Sequence, residues 1–503
     1  IFDSWDNSIS VLANEAIPML HAAKHFGENL SNPIRGEASR VEPRCLRTFT
    51  SSQAVLASSA GCFHWTPEGR RLLDLTSGVL VSNLGHNPCG WMARFSKAMQ
   101  WPAHIGNLEN QRCRIECSSP CDGFFQAAPM TAYNAITPIE VRASSKLLEM
   151  IRGCRGGSRL EQVLWAASGS EAVVKALWAG MARDRNRDMI LATRNGFHGK
   201  KGLAGAVTGS EQDRERDPRV KFFGFPTQEC RDLSNRDDEF DPAPYRAELD
   251  ALWRQFGRRF GMLITEPYLG GGGSYHPHRQ YLQMLQAFCR DHDIVFILDE
   301  VQANFGRTGN MFAFESYGIE PDIVVLGKGL GNGVPVAAAV CRADLLSAMD
   351  YGEGSDTWSA NPLNAAAVLA TVEEFESRDV LGPMRRSSRL IEAGLERLRS
   401  VPFVAHVRGE RDGMVWGIEM KDHGGLSGPE WAAALVGAAY RGIDNEGLHI
   451  LGPLARKVLR ISPPLVISES EATQGMDLLF QIATKLAESN PAEAKALAVI
   501  SAR

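Results

Sequence analysis

A short apolar run followed by a lysine among glycines is the feature that most limits how this chain can fold. The run Ile323 to Leu326 is rich in β-branched residues, and Lys328 stands in the glycine-rich stretch that follows it. Such a run, bounded by Pro321 and by glycines, predicts a buried parallel strand. Ligands bind at the C-terminal edge of the strands in open α/β sheets, so we expect Lys328 to enter a binding crevice.

A second strand of the same kind carries carboxylates toward that crevice. The apolar run Ile294 to Leu298 is followed directly by Asp299 and Glu300. A lysine that forms a Schiff base, together with an acid that keeps a pyridinium nitrogen protonated, is what pyridoxal 5'-phosphate (PLP) chemistry requires. Taken singly, Lys328 has a simpler interpretation as a surface lysine at a strand end, and Asp299 as an ordinary helix cap.

Size, charge and cysteine content narrow the class of protein. The 503 residues exceed what one hydrophobic core usually holds, which predicts a large and a small domain. A net charge of -5 gives no electrostatic reason to expect nucleic acid or a membrane as partner. No apolar run is long enough to span a bilayer. Ten cysteines spread along so long a chain favour reduced thiols and a cytoplasmic protein.

The stretch from Phe296 to Val340 resembles the class III aminotransferases. It contains, without a gap, the segments Asp299-Glu300-Val301-Gln302, Phe305-Gly306-Arg307-Thr308-Gly309 and Gly327-Lys328-Gly329. The resemblance extends over roughly Gly61 to Leu486. It implies an α/β fold of the fold-type I PLP transferases, with a large domain built on a mostly parallel, doubly wound sheet and a smaller α+β C-terminal domain.

The resemblance also predicts the domain boundaries. Residues 1–75 are expected to form an N-terminal arm and a strand meander that pack with the small domain. Residues 76–345 are expected to form the PLP-binding domain, and residues 346–503 the small domain. A turn-rich insertion interrupts the resemblance at about 101–129. Its Cys113, Cys117 and Cys121 could bind a metal from one helical face, but the serines, proline and glycine around them favour a loop, so we predict no metal.

A strand, a turn of small residues and a helix predict a phosphate site. Ser168, Gly169 and Ser170 follow the strand-like run Val163 to Ala166 and precede a helical run. Free backbone N–H groups and the positive end of the helix dipole attract phosphate at such a turn. A plain N-cap is the alternative interpretation. In the family this turn holds the cofactor phosphate, which implies that role for Gly169 and Ser170.

The family assigns further residues to the rest of the cofactor. The pyridine ring would lie between an aromatic side chain and Val301, its nitrogen would pair with Asp299, and Lys328 would hold the cofactor as an internal aldimine and act as general base. The phenolic oxygen would be bound by Gln302 with support from Glu266. The cofactor-binding residues implied by the resemblance are Gly169, Ser170, Phe197, His198, Glu266, Asp299, Val301, Gln302, Lys328 and Thr357.

Thr357 implies a homodimer with shared active sites. In the family, a threonine four residues before Asn-Pro reaches the cofactor phosphate of the neighbouring subunit, and Thr357 occupies that position before Asn361. The two glycines that the family carries before Asn-Pro are replaced by Ser359 and Ala360. This departure affects the geometry of the loop.

Arg460 is the predicted substrate-binding residue. It matches the arginine that grips a substrate carboxylate through a bidentate fork. Ornithine- and 4-aminobutyrate-type members carry a Gln-Gly-Glu sequence soon after Glu-Pro, and its glutamate pairs with this arginine when the substrate lacks an α-carboxylate. This chain has Leu269-Gly270-Gly271 there, so Arg460 lacks that partner.

The resemblance implies a transaminase. It would move an amino group from an amine or amino acid to a 2-oxo acid, pyruvate or 2-oxoglutarate, through a pyridoxamine phosphate intermediate. Relatives with the same Lys328 and Asp299 also include racemases, decarboxylating transaminases and aminomutases. A non-catalytic protein with this fold is a further alternative.

Overall fold

The computed structural model describes residues 22–46, 48, 50–101, 126–213 and 217–499. Most of the turn-rich insertion, with Cys113, Cys117 and Cys121, lies outside these ranges. Within them, no helix is long and apolar enough to cross a membrane.

The strands of the described residues form three sheets. In chain order they are β1 (Ser58–Ala60), β2 (Phe63–Trp65), β3 (Arg71–Asp74), β4 (Gln162–Ala166), β5 (Met189–Thr193), β6 (Val220–Phe223), β7 (Phe260–Thr265), β8 (Val295–Asp299), β9 (Ile323–Leu326), β10 (Ala337–Cys341), β11 (Val404–Gly409), β12 (Trp416–Met420), β13 (Glu446–His449) and β14 (Val458–Ile461).

The helices of the same ranges are, in chain order, α1 (Ser31–Val41), α2 (Ser77–Leu80), α3 (Cys89–Ala98), α4 (Pro138–Gly153), α5 (Gly169–Arg183), α6 (Gly202–Ala206), α7 (Ala243–Phe256), α8 (Arg279–Asp291), α9 (Ala313–Tyr317), α10 (Ala343–Leu346), α11 (Pro362–Ser377), α12 (Leu381–Arg397), α13 (Gly428–Arg441), α14 (Glu469–Glu488) and α15 (Pro491–Val499).

The large sheet has the strand order β4-β10-β9-β8-β7-β5-β6. Strands β5 to β9 pair in parallel, whereas β10 runs antiparallel to both β4 and β9. Side chains of β8 alternate between two hydrophobic clusters, with Val295 and Ile297 in one and Phe296 and Leu298 in the other. Since successive strand residues point to opposite faces, both faces of the sheet are covered. The predicted α/β fold with a mostly parallel, doubly wound sheet is confirmed.

Two smaller sheets complete the fold. Strands β11, β12 and β14 form an antiparallel sheet in the C-terminal part of the chain. The predicted strand meander is β1 to β3, and β13 joins it by pairing in parallel with β3. An N-terminal and a C-terminal segment of the chain therefore share one four-stranded sheet.

Local sequence signals explain where several helices begin. The Thr137 side chain accepts a hydrogen bond from Glu140 N, and Pro138 occupies the first turn of α4. At α11 the Asn361 side chain accepts from Asn364 N. Such oxygens satisfy N–H groups that have no partner within the helix.

Candidate active site

The C-terminal ends of five strands in the large sheet, including β7, which ends just before Glu266, surround one cavity. Asp299 ends β8, Lys328 follows β9, and the turns after β4 and β5 complete the walls. The cavity has a volume of ≈ 200 Å³. The residues that line it are Gly169, Ser170, Phe197, His198, Gly199, Glu266, Asp299, Val301, Gln302 and Lys328. The structure thus brings together every predicted cofactor residue except Thr357.

Lys328 occupies an unusual backbone position at the cavity wall. It opens a short 3₁₀ turn with φ at +48°, a left-handed conformation that is uncommon for a residue with a side chain. Backbone strain of this kind persists only where the surrounding structure holds it. The lysine Nζ forms no hydrogen bond or ion pair within the described part of the chain. Burial, followed by the nearby Arg460 charge, lowers its pKa to about 7.

Asp299 is a buried carboxylate held by two hydrogen bonds. Its Oδ1 accepts from Val301 N at 3.0 Å, and its Oδ2 lies 2.8 Å from His198 Nδ1. The His198 backbone is fixed in turn by a hydrogen bond to Thr208 Oγ1 at 2.8 Å. His198 Nε2 is buried and has no hydrogen-bond partner among the described residues. The carboxylate therefore has a fixed orientation and a polar neighbour at the cavity wall.

The N-terminus of α5 forms another part of the wall. The Ser168 side chain caps the helix by accepting from Glu171 N at 3.3 Å, so the first-turn N–H groups of Gly169 and Ser170 have no intrahelical partner. A Cβ at Gly199 would lie 2.5 Å from Ser170 Oγ, and Gly199 has φ at +143°. Glycine is required there on both grounds. The sequence interpretation missed Gly199, although it directly follows Phe197-His198.

A chain of hydrogen bonds connects the cavity wall to Arg460. Glu266 accepts from Phe197 N at 2.8 Å and from Gly270 N at 3.2 Å. Gln302 Nε2 donates to Glu266 Oε1 at 3.5 Å, while Gln302 Oε1 accepts from Arg460 Nη1 at 2.8 Å. Burial raises the pKa of Glu266 to about 7.

Arg460 lies behind Gln302 and does not itself line the cavity. Arg460 is 3% exposed, and its Nε is buried with no hydrogen-bond partner in the part of the chain that the structure describes. In this structure its Nη1 is bound by a neutral amide. The guanidinium therefore retains an unused donor next to the cavity.

Thr357 lies outside the cavity of its own chain. It is exposed and lies on a loop that is hydrogen-bonded to Lys175 of α5 through Asp356 and Ser359. Asp356 pairs with the buried Lys175 at 2.5 Å, and Ser359 Oγ donates to Trp165 O at 2.8 Å. Ala360 has φ at +57°, so it keeps a left-handed conformation that glycine adopts more readily. Sequence interpretation did not anticipate the Lys175 contact.

The donor set of the cavity fits PLP. A helix N-terminus with free N–H groups suits a phosphate. A buried carboxylate on a fixed hydrogen-bond network suits a pyridinium nitrogen, and an unpaired amine of low pKa suits an aldehyde carbon. A Cβ added to Gly169 would meet Val301 Cγ1 at 3.1 Å, so the glycine preserves the space between the two walls.

Comparisons with known proteins agree with this fit. The family model of aminotransferase class-III matches residues 126–483. An acetylornithine aminotransferase of Oceanobacillus iheyensis is 26% identical over 456 residues, covering 89% of this chain and 98% of that protein. A probable 4-aminobutyrate aminotransferase of Bacillus subtilis is 28% identical over 342 residues, covering 66% of this chain and 77% of that protein.

Solved structures share the fold. An amine transaminase from an uncultivated Pseudomonas species, solved in its PLP-bound form, matches with a TM-score of 0.69 at 23% identity. The match covers 92% of this chain and 99% of that one. An (S)-enantioselective omega-transaminase from Thermomicrobium roseum matches with a TM-score of 0.70 at 22% identity, covering 91% of this chain and 96% of that one.

Fold and cavity together define a fold-type I PLP enzyme. Since the family model covers more than half of the sequence, the chain belongs to the class-III aminotransferases. It is a PLP-dependent transaminase that acts on small-molecule amino donors and oxo acids, as the sequence implied. The relatives reported above are aminotransferases, so they do not favour racemase, decarboxylase or mutase chemistry.

Proposed function

We propose that the enzyme transfers an amino group from an amine or amino acid to a 2-oxo acid such as pyruvate or 2-oxoglutarate. The observation that carries this proposal is the single cavity lined by Lys328, Asp299 and the N-terminus of α5. PLP bound there would supply an electrophilic carbon and an electron sink for the carbanion at the substrate Cα.

The proposed role of Lys328 is to bind the cofactor covalently and to move the substrate proton. Burial lowers its pKa to about 7, so a substantial fraction of the amine is neutral near neutral pH. A neutral amine can accept a proton from the substrate Cα and return one during the transfer. Its strained backbone turn would hold Nζ at the cavity wall.

The other cavity residues would orient the cofactor. Asp299 would keep the pyridine nitrogen protonated, and His198 would hold that carboxylate in place through its Nδ1. Gly169 and Ser170 would bind the phosphate with backbone N–H groups. The ring would lie between Phe197 and Val301.

Arg460 would bind the carboxylate of the oxo acid. Its present partner is the neutral amide of Gln302, and hydrogen bonds between two charged groups are stronger than those to a neutral acceptor. A substrate carboxylate could therefore displace the amide and satisfy the unused Nε. A Cβ at Gly270 would lie 2.5 Å from Gln302 Oε1, so glycine at this position leaves room for the Gln302 amide.

Replacing Arg460 by alanine is expected to weaken use of 2-oxo acids selectively. Removing one member of a buried charged pair costs about 2–5 kcal/mol, so the KM for pyruvate should rise by at least an order of magnitude. Lysine should rescue poorly, because a point charge does not reproduce the two-pronged contact. Steady-state kinetics are measured with pyruvate and with acetaldehyde, which lacks the carboxylate. The comparison shows whether the loss depends on recognition of the carboxylate or on reaction at the carbonyl group.

The matched control is Arg389→Ala, which removes an exposed arginine whose side-chain partner is Asp412. It should leave both acceptors unchanged. If Arg460→Ala alters pyruvate and acetaldehyde equally, Arg460 does not recognise the carboxylate. If wild-type enzyme transfers no amino group to any 2-oxo acid, the proposed reaction itself is wrong.

The proposed assembly is a homodimer with shared active sites. Thr357 is exposed and outside its own cavity, as a residue that serves a partner would be. Tyr351 and Trp358, on the same loop region, are 104% and 59% exposed. Interaction surfaces are marked by contiguous apolar patches, and these two exposed side chains on either side of Thr357 in the sequence support one at this loop.

Site sharing predicts opposite outcomes for two mixed dimers. A dimer of one Lys328→Ala chain and one Thr357→Ala chain should contain one intact site and recover about half of wild-type turnover, since its sites would be completed in trans. A dimer of a wild-type chain and a doubly substituted chain should contain none. Dual-tag purification followed by activity assays measures both. Activity in the second dimer and none in the first would show that Thr357 serves the active site of its own chain.

We also propose the domain boundaries and the compartment given by the sequence. The proposed boundary near residue 75 lies between the end of β3 at Asp74 and the start of α2 at Ser77, and the one near residue 345 lies in the short helix α10. A cytoplasmic location is supported by the unpaired state of the described cysteines, which are Cys45, Cys62, Cys89, Cys154, Cys230, Cys289 and Cys341.

A further inference from the structure

Two histidines and an aspartate meet on the small four-stranded sheet. His64 lies on β2, Asp74 ends β3 and His449 ends β13. In the register of the sheet, His449 is opposite Asp74, and His64 is opposite Leu72, two residues before Asp74. Because alternate strand residues share a face, all three side chains project from the same side of the sheet.

Their ligand atoms converge on one point. One nitrogen of each imidazole and one oxygen of the carboxylate lie within 4.8 Å of one another. His64 Nε2 lies 3.3 Å from Asp74 Oδ2. Ligands about 2.1 Å from a tetrahedral ion are about 3.4 Å apart, so small side-chain rotations would close the site around a metal.

The cluster contains a buried imidazole nitrogen without a partner. His449 Nδ1 forms no hydrogen bond within the described ranges, and His64 Nε2 has only the 3.3 Å contact with Asp74 Oδ2 and no well-aligned hydrogen bond there. His64 is itself only 4% exposed. Buried polar atoms nearly always have partners, and a bound ion is one explanation for an exception.

The surroundings hold the three side chains as ligands are held in metalloproteins. His64 Nδ1 is bound to Ser59 Oγ at 2.7 Å, which leaves Nε2 facing Asp74. Asp74 Oδ1 accepts from Thr76 N and Thr76 Oγ1, at 2.8 and 2.6 Å. His86 Nε2 lies 2.7 Å from Asp74 Oδ2. Such outer hydrogen bonds orient ligands and tune their basicity.

We propose that His64, Asp74 and His449 bind a Zn²⁺ ion. Two imidazoles and a carboxylate are ligands that zinc accepts in tetrahedral sites. None of the three residues lines the cavity around Lys328, so the site is separate from the catalytic one. The ion would link β2 and β3 to β13, and so would join the N-terminal and C-terminal segments of the chain.

Zinc content of the PLP-loaded enzyme tests the site. After chelation and dialysis, wild-type protein titrated with Zn²⁺ should bind one equivalent per chain, and its Tm should rise with zinc concentration. Co²⁺ in the same protein should give the visible absorbance of a nitrogen- and oxygen-bound ion. The replacements His64→Leu and His449→Leu should abolish both signals. Ser59→Ala should lower zinc affinity about 10- to 100-fold.

The control is His423→Leu, which removes an exposed histidine and should leave zinc binding unchanged. Circular dichroism and the cofactor absorbance check that each variant is folded. Failure of wild-type enzyme to bind an equivalent of zinc overturns the proposal. Undiminished zinc binding by folded His64→Leu also overturns it, because the metal would then lie elsewhere, for example on the cysteines of the insertion.

Discussion

Lys328→Ala is expected to lower the turnover of amino transfer by about 10³-fold, the scale of effect for losing a positioned proton-transfer group. The variant loses both the covalent attachment of the cofactor and the amine whose pKa burial lowers to about 7. Turnover with a 2-oxo acid and an amine donor, measured at saturating PLP, reports the loss. Cofactor that binds should do so without the absorbance of a lysine adduct.

Lys200, a second lysine near the cavity, provides the control for this variant. Lys200 is exposed and follows the cavity residues Phe197 to Gly199, so Lys200→Ala changes a lysine near the same site. It should retain wild-type turnover. Turnover of Lys328→Ala within a few-fold of wild type would mean that another base moves the proton.

Asp299→Asn should lower turnover by about 10²–10³-fold, the cost of removing one preorganised electrostatic contact to a developing charge. The asparagine side chain has the shape of aspartate, and its oxygen can still accept the hydrogen bond from Val301 N. PLP should therefore remain bound. It cannot keep a pyridine nitrogen protonated, and the electron sink is therefore weaker. Single-turnover kinetics of the donor half-reaction isolate this step from substrate release.

Asp293→Asn is the matched control, because Asp293 is exposed and lies just before β8, the strand that ends at Asp299. Its replacement should leave the half-reaction unchanged. Near-normal turnover by Asp299→Asn would show that the carboxylate only supports the structure.

Sequence patterns predicted the elements that carry the cavity because those elements are buried on both faces. Strand β9 spans Ile323–Leu326, as the apolar run predicted, and β8 spans Val295–Asp299, shifted by one residue from the predicted run Ile294 to Leu298. The antiparallel direction of β10 was not predicted, since strand direction depends on chain connections rather than on the residues of the strand. Helix α1 was also missed, because its buried residues are Ser31 and Arg35 rather than an apolar stripe.

Contacts between residues far apart in the sequence were also not predicted. The pairing of Lys175 with Asp356 joins a helix to a loop that lies far along the chain. The cluster of His64, Asp74 and His449 exists only because β13 pairs with β3. No spacing within one segment reveals such contacts. For the cavity residues, resemblance to a family supplied the roles, and the structure supplied the partners of Gln302 and Asp299.

Borohydride reduction of the PLP-loaded enzyme, followed by peptide mapping, tests the central proposal most directly. Reduction fixes the bond between the cofactor and its lysine, and mass spectrometry then locates the modified residue. The pyridoxyl group should be found on Lys328 in wild-type enzyme and on no lysine in Lys328→Ala. A stoichiometric adduct on Lys175, Lys200 or another lysine of wild-type enzyme would contradict the assignment of Lys328 and the reaction built on it.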